Sequence, residues 1–215
     1  MIIKNFNIKK NLNKNVNLFL LYGPNNGLIE ETIDKILKPN FSKNIYNYDE
    51  NEILTNPDNF NDTIVNKSFF EDEKLIIISR ATDKILDKNE KIINKKIKDL
   101  KIIIKANILE KKSKLRNFFE KNTQTIIVPN YEDNNQTLLY LAQNFLKQKK
   151  IKISPQSINF IIERTKGNRT DLKSELEKIA NYSVKKKSIN FDEILKITNL
   201  ASNYDASELT DSCLS

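Results

Sequence analysis

Four short, unbroken apolar runs constrain this chain more than anything else in it: Leu18-Phe19-Leu20-Leu21, Leu75-Ile76-Ile77-Ile78, Ile102-Ile103-Ile104 and Ile126-Ile127-Val128. Strands with one wet face alternate apolar and polar residues. Runs without alternation read as strands covered on both faces. Helical periodicity fills the intervals between them. Ile29, Ile33, Ile36 and Leu37 lie along one face of a helix that Pro39 is expected to end, and Asn56-Pro57 opens another that carries Phe60 and Ile64. Asp83 to Leu100 reads as helical through Leu86, Ile93, Ile97 and Leu100, and Ser113 caps a helix with Leu115, Phe118 and Phe119. Ile45-Tyr46-Asn47-Tyr48 adds a further strand. Strands alternating with helices imply a parallel sheet with helices on both faces.

From Pro129 to Gln136 the chain is polar and aperiodic, and reads as a linker. Beyond it only helical patterns occur. Leu138, Leu141, Ala142, Phe145 and Leu146 mark the first helix. Ser154-Pro155 starts the second, with Ile158, Ile161 and Ile162, and Gly167-Asn168 is expected to end it. Leu172, Leu176, Ile179 and Ala180 mark the third, and Asn190 with Glu193 forms a capping box before Ile194, Leu195 and Ile197. Short helices with short connections make a small bundle. The expected division is an α/β domain over 1–132, a helical domain over 133–202, and the start of a further helical segment over 203–215, where Leu209, Cys213 and Leu214 would form an apolar side.

Composition narrows the chemistry. The chain contains no histidine, which removes the commonest general base and metal ligand. Its single cysteine, Cys213, can make neither an internal disulfide nor a zinc site, and a reducing cytoplasm follows as the expected setting. Neither a signal peptide nor an apolar run near the ~20 residues of a membrane span is visible. The net charge of +8 favours contact with phosphate backbones or other acidic surfaces, although lysine is abundant throughout and reads first as solvated exterior, so charge alone argues weakly for nucleic acid.

Two stretches compete as sites. Gly23-Pro24-Asn25-Asn26-Gly27 follows a strand and precedes a helix, which is the setting of a phosphate-binding loop. Leu28, Ile29, Glu30 and Glu31 stand where the lysine and hydroxyl of such a loop belong, and no carboxylate follows Ile78 to hold magnesium. The loop therefore reads as a structural turn with no cofactor, metal or nucleotide. The second stretch is Asn66-Lys67-Ser68-Phe69-Phe70-Glu71-Asp72-Glu73. Ser68 and Glu71 have capping-box spacing, which predicts one helical turn before the strand at Leu75. Adjacent helical residues point about 100° apart, so Phe69 and Phe70 cannot both reach the core by the same route. Either one faces solvent or a partner, or both are ordinary core.

A parallel α/β domain with a degenerate phosphate loop and a helical lid resembles the AAA+ architecture. Local sequences bring the resemblance to the delta subunit of the bacterial DNA polymerase III clamp loader: Leu20-Leu21-Tyr22-Gly23 with Leu28-Ile29-Glu30-Glu31, Ser68-Phe69-Phe70 before a strand, Lys112-Ser113-Lys114-Leu115-Arg116, Val128-Pro129-Asn130-Tyr131-Glu132, Lys152-Ile153-Ser154-Pro155, and Gly167-Asn168-Arg169-Thr170-Asp171-Leu172 continuing to Ile179. The resemblance implies a subunit of the polymerase holoenzyme with no catalytic site of its own. It would bind the sliding clamp (the beta subunit) and hold one of its interfaces open for loading on primed DNA. It also implies a hydrophobic pair, usually Leu-Phe, on a short projecting helix; this maps onto Phe69 and Phe70, with Phe69 departing from leucine. The family's third, helical collar domain assembles the loader with its other subunits, and DNA is reached through that complex. The chain stops about where that domain would start. Two other readings stand beside this one: a lysine-rich nucleic-acid-binding module without clamp contact, and a degenerate AAA+ ATPase.

Overall fold

The computed structural model of the chain describes residues 1–12, 16–40, 44–65, 74–86, 100–186 and 188–198. Two compact units divide it, Met1–Glu132 and Asp133–Ser215.

The first unit is an α/β structure built on five parallel strands: β1 (Leu18–Tyr22), β2 (Asn44–Asp49), β3 (Lys74–Ser79), β4 (Leu100–Ala106) and β5 (Thr125–Pro129). Their order across the sheet is β2-β3-β4-β1-β5. In register, Phe19 lies beside Ile103 on one flank and Ile126 on the other, and Ile76 lies between Tyr46 and Ile102. The helices are α1 (Ile8–Asn11), α2 (Asn26–Thr32), α3 (Glu50–Thr55), α4 (Pro57–Val65) and α5 (Lys114–Lys121). One face of the sheet presents Leu18, Leu20, Ile76, Ile78, Ile102 and Ile104 to Ile53 of α3, Phe60 and Ile64 of α4, and Leu115 and Phe119 of α5. The other presents Phe19, Leu21, Leu75, Ile77, Ile103, Ile126 and Val128 to Ile8 of α1, Ile29 of α2, and Ile33 and Leu37 just beyond it. This double cover is why the runs show no alternation. Each fully buried Ile, Leu or Phe contributes about 1.5–3 kcal/mol of transfer free energy. The β5 edge is covered by the chain's own start: Ile3 N–H donates to Ile127 O (3.0 Å) and Ile127 N–H to Met1 O (3.1 Å). An edge protected in this way cannot pair with a foreign strand.

Several expectations shift. The helix after Gly23 begins at Asn26, and a π turn over Ile33–Leu37 and a 3₁₀ turn over Lys38–Asn40 carry it past Pro39. The helical run thus closes within a residue of Pro39, as the expectation had it. Leu100 opens β4 instead of closing a helix; Lys84–Leu86 are helical, and residues 87–99 of that expected helix lie outside the described residues. Helix α3 has no counterpart in the sequence reading. Its signal is Asp49-x-x-Glu52: Asp49 Oδ1 accepts from Asn51 N–H (3.0 Å), and Glu52 Oε2 accepts from Asp49 N–H (2.8 Å). The expected linker is also shorter, since Pro129 belongs to β5, Asn130 is fully buried, and a helix starts at Asn135.

The second unit packs α6 (Asn135–Lys149), α7 (Pro155–Arg164), α8 (Arg169–Tyr182) and α9 (Phe191–Ile197) around Leu138, Ala142, Leu146, Ile158, Ile161, Leu172, Leu176, Ile179 and Ile194. Each start is capped by a side chain: Asn134 to Thr137 N–H (2.8 Å), Ser154 to Ser157 N–H (3.1 Å), Asn168 to Thr170 N–H (2.8 Å), and Asn190 with Glu193 as a full capping box. Helix α7 stops at Arg164, before the expected Gly167, because Thr165 Oγ1 turns back onto Ile162 O (2.8 Å) and Lys166 and Gly167 adopt left-handed backbone. The largely buried Asp133–Arg169 pair (2.7 Å) ties the approach to α6 onto the start of α8. No helix among the described residues is long and apolar enough to cross a membrane.

Candidate functional site

The loop after β1 is closed by its own amides. Gly23 takes φ +130°, and its N–H is shared between Ala106 O (3.3 Å) and Asn107 O (3.2 Å). The chain leaving β5 crosses directly above it: Asn130 N–H donates to Tyr22 O (2.7 Å), and a Cβ on residue 23 would lie 2.3 Å from Asn130 O. Asn25 Oδ1 accepts from Leu28 N–H (2.9 Å), Asn25 Nδ2 donates to Tyr131 O (3.0 Å), and Asn25 N–H to Asn130 O (3.3 Å). Asn130 donates to Val128 O (2.9 Å) and accepts from Asn5 Nδ2 (2.9 Å), which also reaches Thr32 Oγ1 (2.6 Å). A phosphate-binding loop needs its backbone N–H groups turned toward the ligand. Here Asn25 takes the Leu28 N–H, Gly27 lies inside the first turn of α2, and Glu30 pairs with Lys105 (2.7 Å). The Gly23, Asn25 and Leu28 amides are thus taken by acceptors within the chain itself. Asn25 and Asn130, which hold it together, are not distinguishable in sequence from the many other asparagines.

Phe69 and Phe70, with the capping pair Ser68 and Glu71, lie outside the described residues. The structure does describe both elements that bound this stretch. Thr63 in the last turn of α4 and Lys74 at the start of β3 are joined directly: Lys74 Nζ donates to Thr63 O (2.9 Å). Tyr48 of β2 donates through its hydroxyl to Thr63 Oγ1 (2.7 Å), and its ring meets Phe60 edge-on with centroids 5.2 Å apart. The Lys74 ammonium also lies over the Tyr46 ring (5.5 Å), so this lysine, 7% exposed, is satisfied where it sits. The eight residues 66–73 thus leave and re-enter a cross-braced base at the amino-terminal edge of the sheet. Lys74 and Thr63 carry no sequence signal for this role; alternation places Lys74 merely before an apolar run.

The opposite edge holds a polar lattice. Glu50, buried, accepts from Thr82 N–H (2.7 Å) and Thr82 Oγ1 (2.8 Å), while Asp49 pairs with Arg80 Nε (2.6 Å). Asp83 accepts from Ser113 Oγ (2.6 Å), Lys114 N–H (3.0 Å) and Leu115 N–H (3.0 Å), at the start of α5. Burial pushes the Asp83 carboxyl up, but the hydrogen bonds from Ser113, Leu115 and Lys114 outweigh it and hold the group below the usual carboxylate range. A depressed carboxyl stabilises the fold above its unfolded value, and that contribution is lost as pH falls through the folded value. Asp83→Ala is therefore expected to cost about 1–2 kcal/mol at neutral pH, as for loss of a helix cap. The gap between parent and variant in urea midpoint should narrow steadily below about pH 4. A gap independent of pH would show that the charge of Asp83 contributes nothing. Among the described residues no cluster of three or more carboxylates or thiols could hold a metal ion.

Residues 19–128, more than half of the chain, match the family described as DNA polymerase III, delta subunit. A curated relative, the probable DNA polymerase III subunit delta of Rickettsia prowazekii (strain Madrid E), is 23% identical over 184 residues, covering 85% of this chain and 56% of the relative. The chain thus spans little more than half the length of that relative. The fold is similar to the Bacillus subtilis DNA clamp loader delta protein (TM-score 0.54, 16% identity, 98% of this chain and 69% of that one). It is also similar to the Thermotoga maritima RuvB Holliday junction branch migration motor (TM-score 0.60, 17% identity, 94% and 67%). The matched span runs from Phe19 in β1 to Val128 in β5 and takes in the loop at Gly23 and the positions of Phe69 and Phe70, and by that match the chain belongs to the DNA polymerase III delta subunit family.

Proposed function

We propose that this chain binds the sliding clamp through Phe69 and Phe70 and biases the ring toward an open interface, with no nucleotide chemistry of its own. The observation that carries this reading is the family match across residues 19–128, which encloses the two aromatics. Adjacent aromatics suit the role of anchors in a hydrophobic pocket, where a few residues carry most of the binding energy. Opening requires the chain to bind the open ring better than the closed one; equal affinity for both would shift nothing. A wedge that favours one geometry must be held stiffly at its base, and the Lys74–Thr63–Tyr48 bracing supports that requirement. The self-closed loop at Gly23 supports the non-catalytic half of the proposal, with ATP handled by other subunits of the loader and primed DNA reached through the assembled complex.

The test is a pull-down of the cognate clamp by the chain and by the Phe69→Ala/Phe70→Ala double variant, in the presence of duplex DNA as competitor. The parent is expected to retain the clamp and the double variant to release it. Clamp retained equally by both would place the contact elsewhere. A parallel titration with ATP and Mg²⁺ should show no saturable binding; tight saturable binding would overturn the non-catalytic reading.

A further inference from the structure

We propose that the outer edge of β2, with the groove that α3 and α4 form beside it, takes up an extended lysine- or arginine-bearing segment of a partner protein as an added strand. β2 is an outermost strand of the sheet, and among the described residues no strand or bridge pairs with its outer side. The other edge is different, because the chain's own start covers β5. Open edges are commonly guarded by lysine, by proline or by a covering element. The sequence of β2, Asn44-Ile45-Tyr46-Asn47-Tyr48-Asp49, contains neither lysine nor proline. It therefore offers its main chain as a template for an extended peptide.

The groove has a volume of about 630 Å³, within the usual range for binding sites. Tyr48 of β2, Glu52 and Ile53 of α3, and Asn56, Asn59 and Phe60 of α4 line it. Its walls are fixed before any ligand arrives. The Tyr48 hydroxyl donates to Thr63 Oγ1 (2.7 Å), the Asp49–Glu52 capping box holds the start of α3, and Asn59 N–H donates to Asn56 Oδ1 (3.3 Å). Preformed walls reduce the ordering cost of binding. Alternate side chains of an added strand point to the same face of the sheet, so one of them would enter the groove. The Tyr48 and Phe60 rings suit the methylene stem of a lysine or arginine, whose charged head would reach the polar rim.

Charge selects a basic occupant. Lysine and arginine make up 36 of the 215 residues, yet none falls between Asn44 and Val65, where Asp49, Glu50, Glu52, Asp58 and Asp62 all stand. Glu52 is the one charged residue among those lining the groove. Lys74 and Arg80, which reach β2 from β3 and the loop after it, are engaged with Thr63 O and with Asp49. Glu50 is buried and taken up by Thr82. Glu52, Asp58 and Asp62 remain: all three are exposed, and none makes an ion pair among the described residues. Glu52 spends Oε2 on the Asp49 N–H, and Asp62 follows Asn59 by one helical turn on α4. Three uncompensated carboxylates along an open strand edge thus favour a cationic strand on a chain whose net charge is otherwise +8.

The test uses the whole chain and a fluorescein-labelled peptide, Thr-Lys-Val-Lys-Val-Lys-Thr, read by fluorescence anisotropy. Saturable micromolar binding is expected. The Glu52→Gln/Asp58→Asn/Asp62→Asn variant should weaken it about tenfold, the sum of three surface ion pairs. Its thermal melting should match the parent's, since glutamine preserves the capping box. A peptide of equal charge with proline in place of both valines, which cannot pair along a strand, should not bind. Absence of saturable binding would overturn the proposal. So would equal binding of the proline peptide, which would reduce the effect to bulk charge, or equal binding by the neutralised variant. Self-association of the parent in sedimentation velocity that the peptide dissolves would also overturn it, by making a second copy of the chain the occupant of the edge.

Discussion

Gly23→Ala is expected to unfold the first unit or bring it close to unfolding. Two costs act together. The backbone at φ +130° is strained for any residue with a side chain, at about 1–3 kcal/mol. The added methyl would also stand 2.3 Å from Asn130 O, and that oxygen belongs to a main chain held by the Asn130–Tyr22 hydrogen bond. Relief requires moving the backbone, at a further ~1–3 kcal/mol. A total of about 2–6 kcal/mol is a large part of the 5–15 kcal/mol that typically holds a domain folded. The control is Gly167→Ala. Gly167 also has positive φ (+77°), but a Cβ there meets nothing within 4 Å, so its cost should stay near about 1 kcal/mol. Urea denaturation followed by circular dichroism separates the two. Equal midpoint shifts would show that the crossing of Asn130 over Gly23 is not a structural constraint.

Phe70→Ala is expected to weaken clamp affinity by about 2–4 kcal/mol, the scale of an interface hot spot, or roughly 30- to 1,000-fold. Phe69→Leu should change affinity by less than about tenfold, since a leucine fills less of a pocket but still anchors it. Neither change should shift the melting temperature by more than surface substitutions do. This contrast decides between the two readings of the aromatics. If both were core, Phe70→Ala would cost about 3–5 kcal/mol of stability instead, and lost binding would follow only from lost folding. Binding at a fixed folded fraction is therefore the quantity to compare.

The sheet was readable in the sequence because burial on both faces leaves continuous runs such as Leu75–Ile78, and a run of that kind has few other uses in a chain of this size. Helix starts were readable wherever a short polar side chain caps them, as at Ser113, Ser154 and Asn190. Helix α3 was missed because it is one and a half turns long and its only signal, Asp49 with Glu52, follows directly on a strand. Pro39 marked the end of its helix to within a residue, because its ring and missing N–H both resist a further turn. At the loop after β1, the missing lysine and hydroxyl of a phosphate-binding loop are legible from residue type alone. What closes the loop instead, Asn130 arriving from β5, is a contact across more than a hundred residues that no local pattern records. The same is true of the brace between α4 and β3: nothing local in the sequence pairs Lys74 with Thr63 and Tyr46.

The central claim is that this chain recognises the clamp by itself and without nucleotide. Isothermal titration of the cognate sliding clamp with the chain, in buffer free of nucleotide and DNA, tests it most directly. Saturable binding is expected, unchanged when ATP and Mg²⁺ are added and absent in the Phe69→Ala/Phe70→Ala variant. No heat of binding from the folded parent, or binding that appears only with ATP, would contradict it.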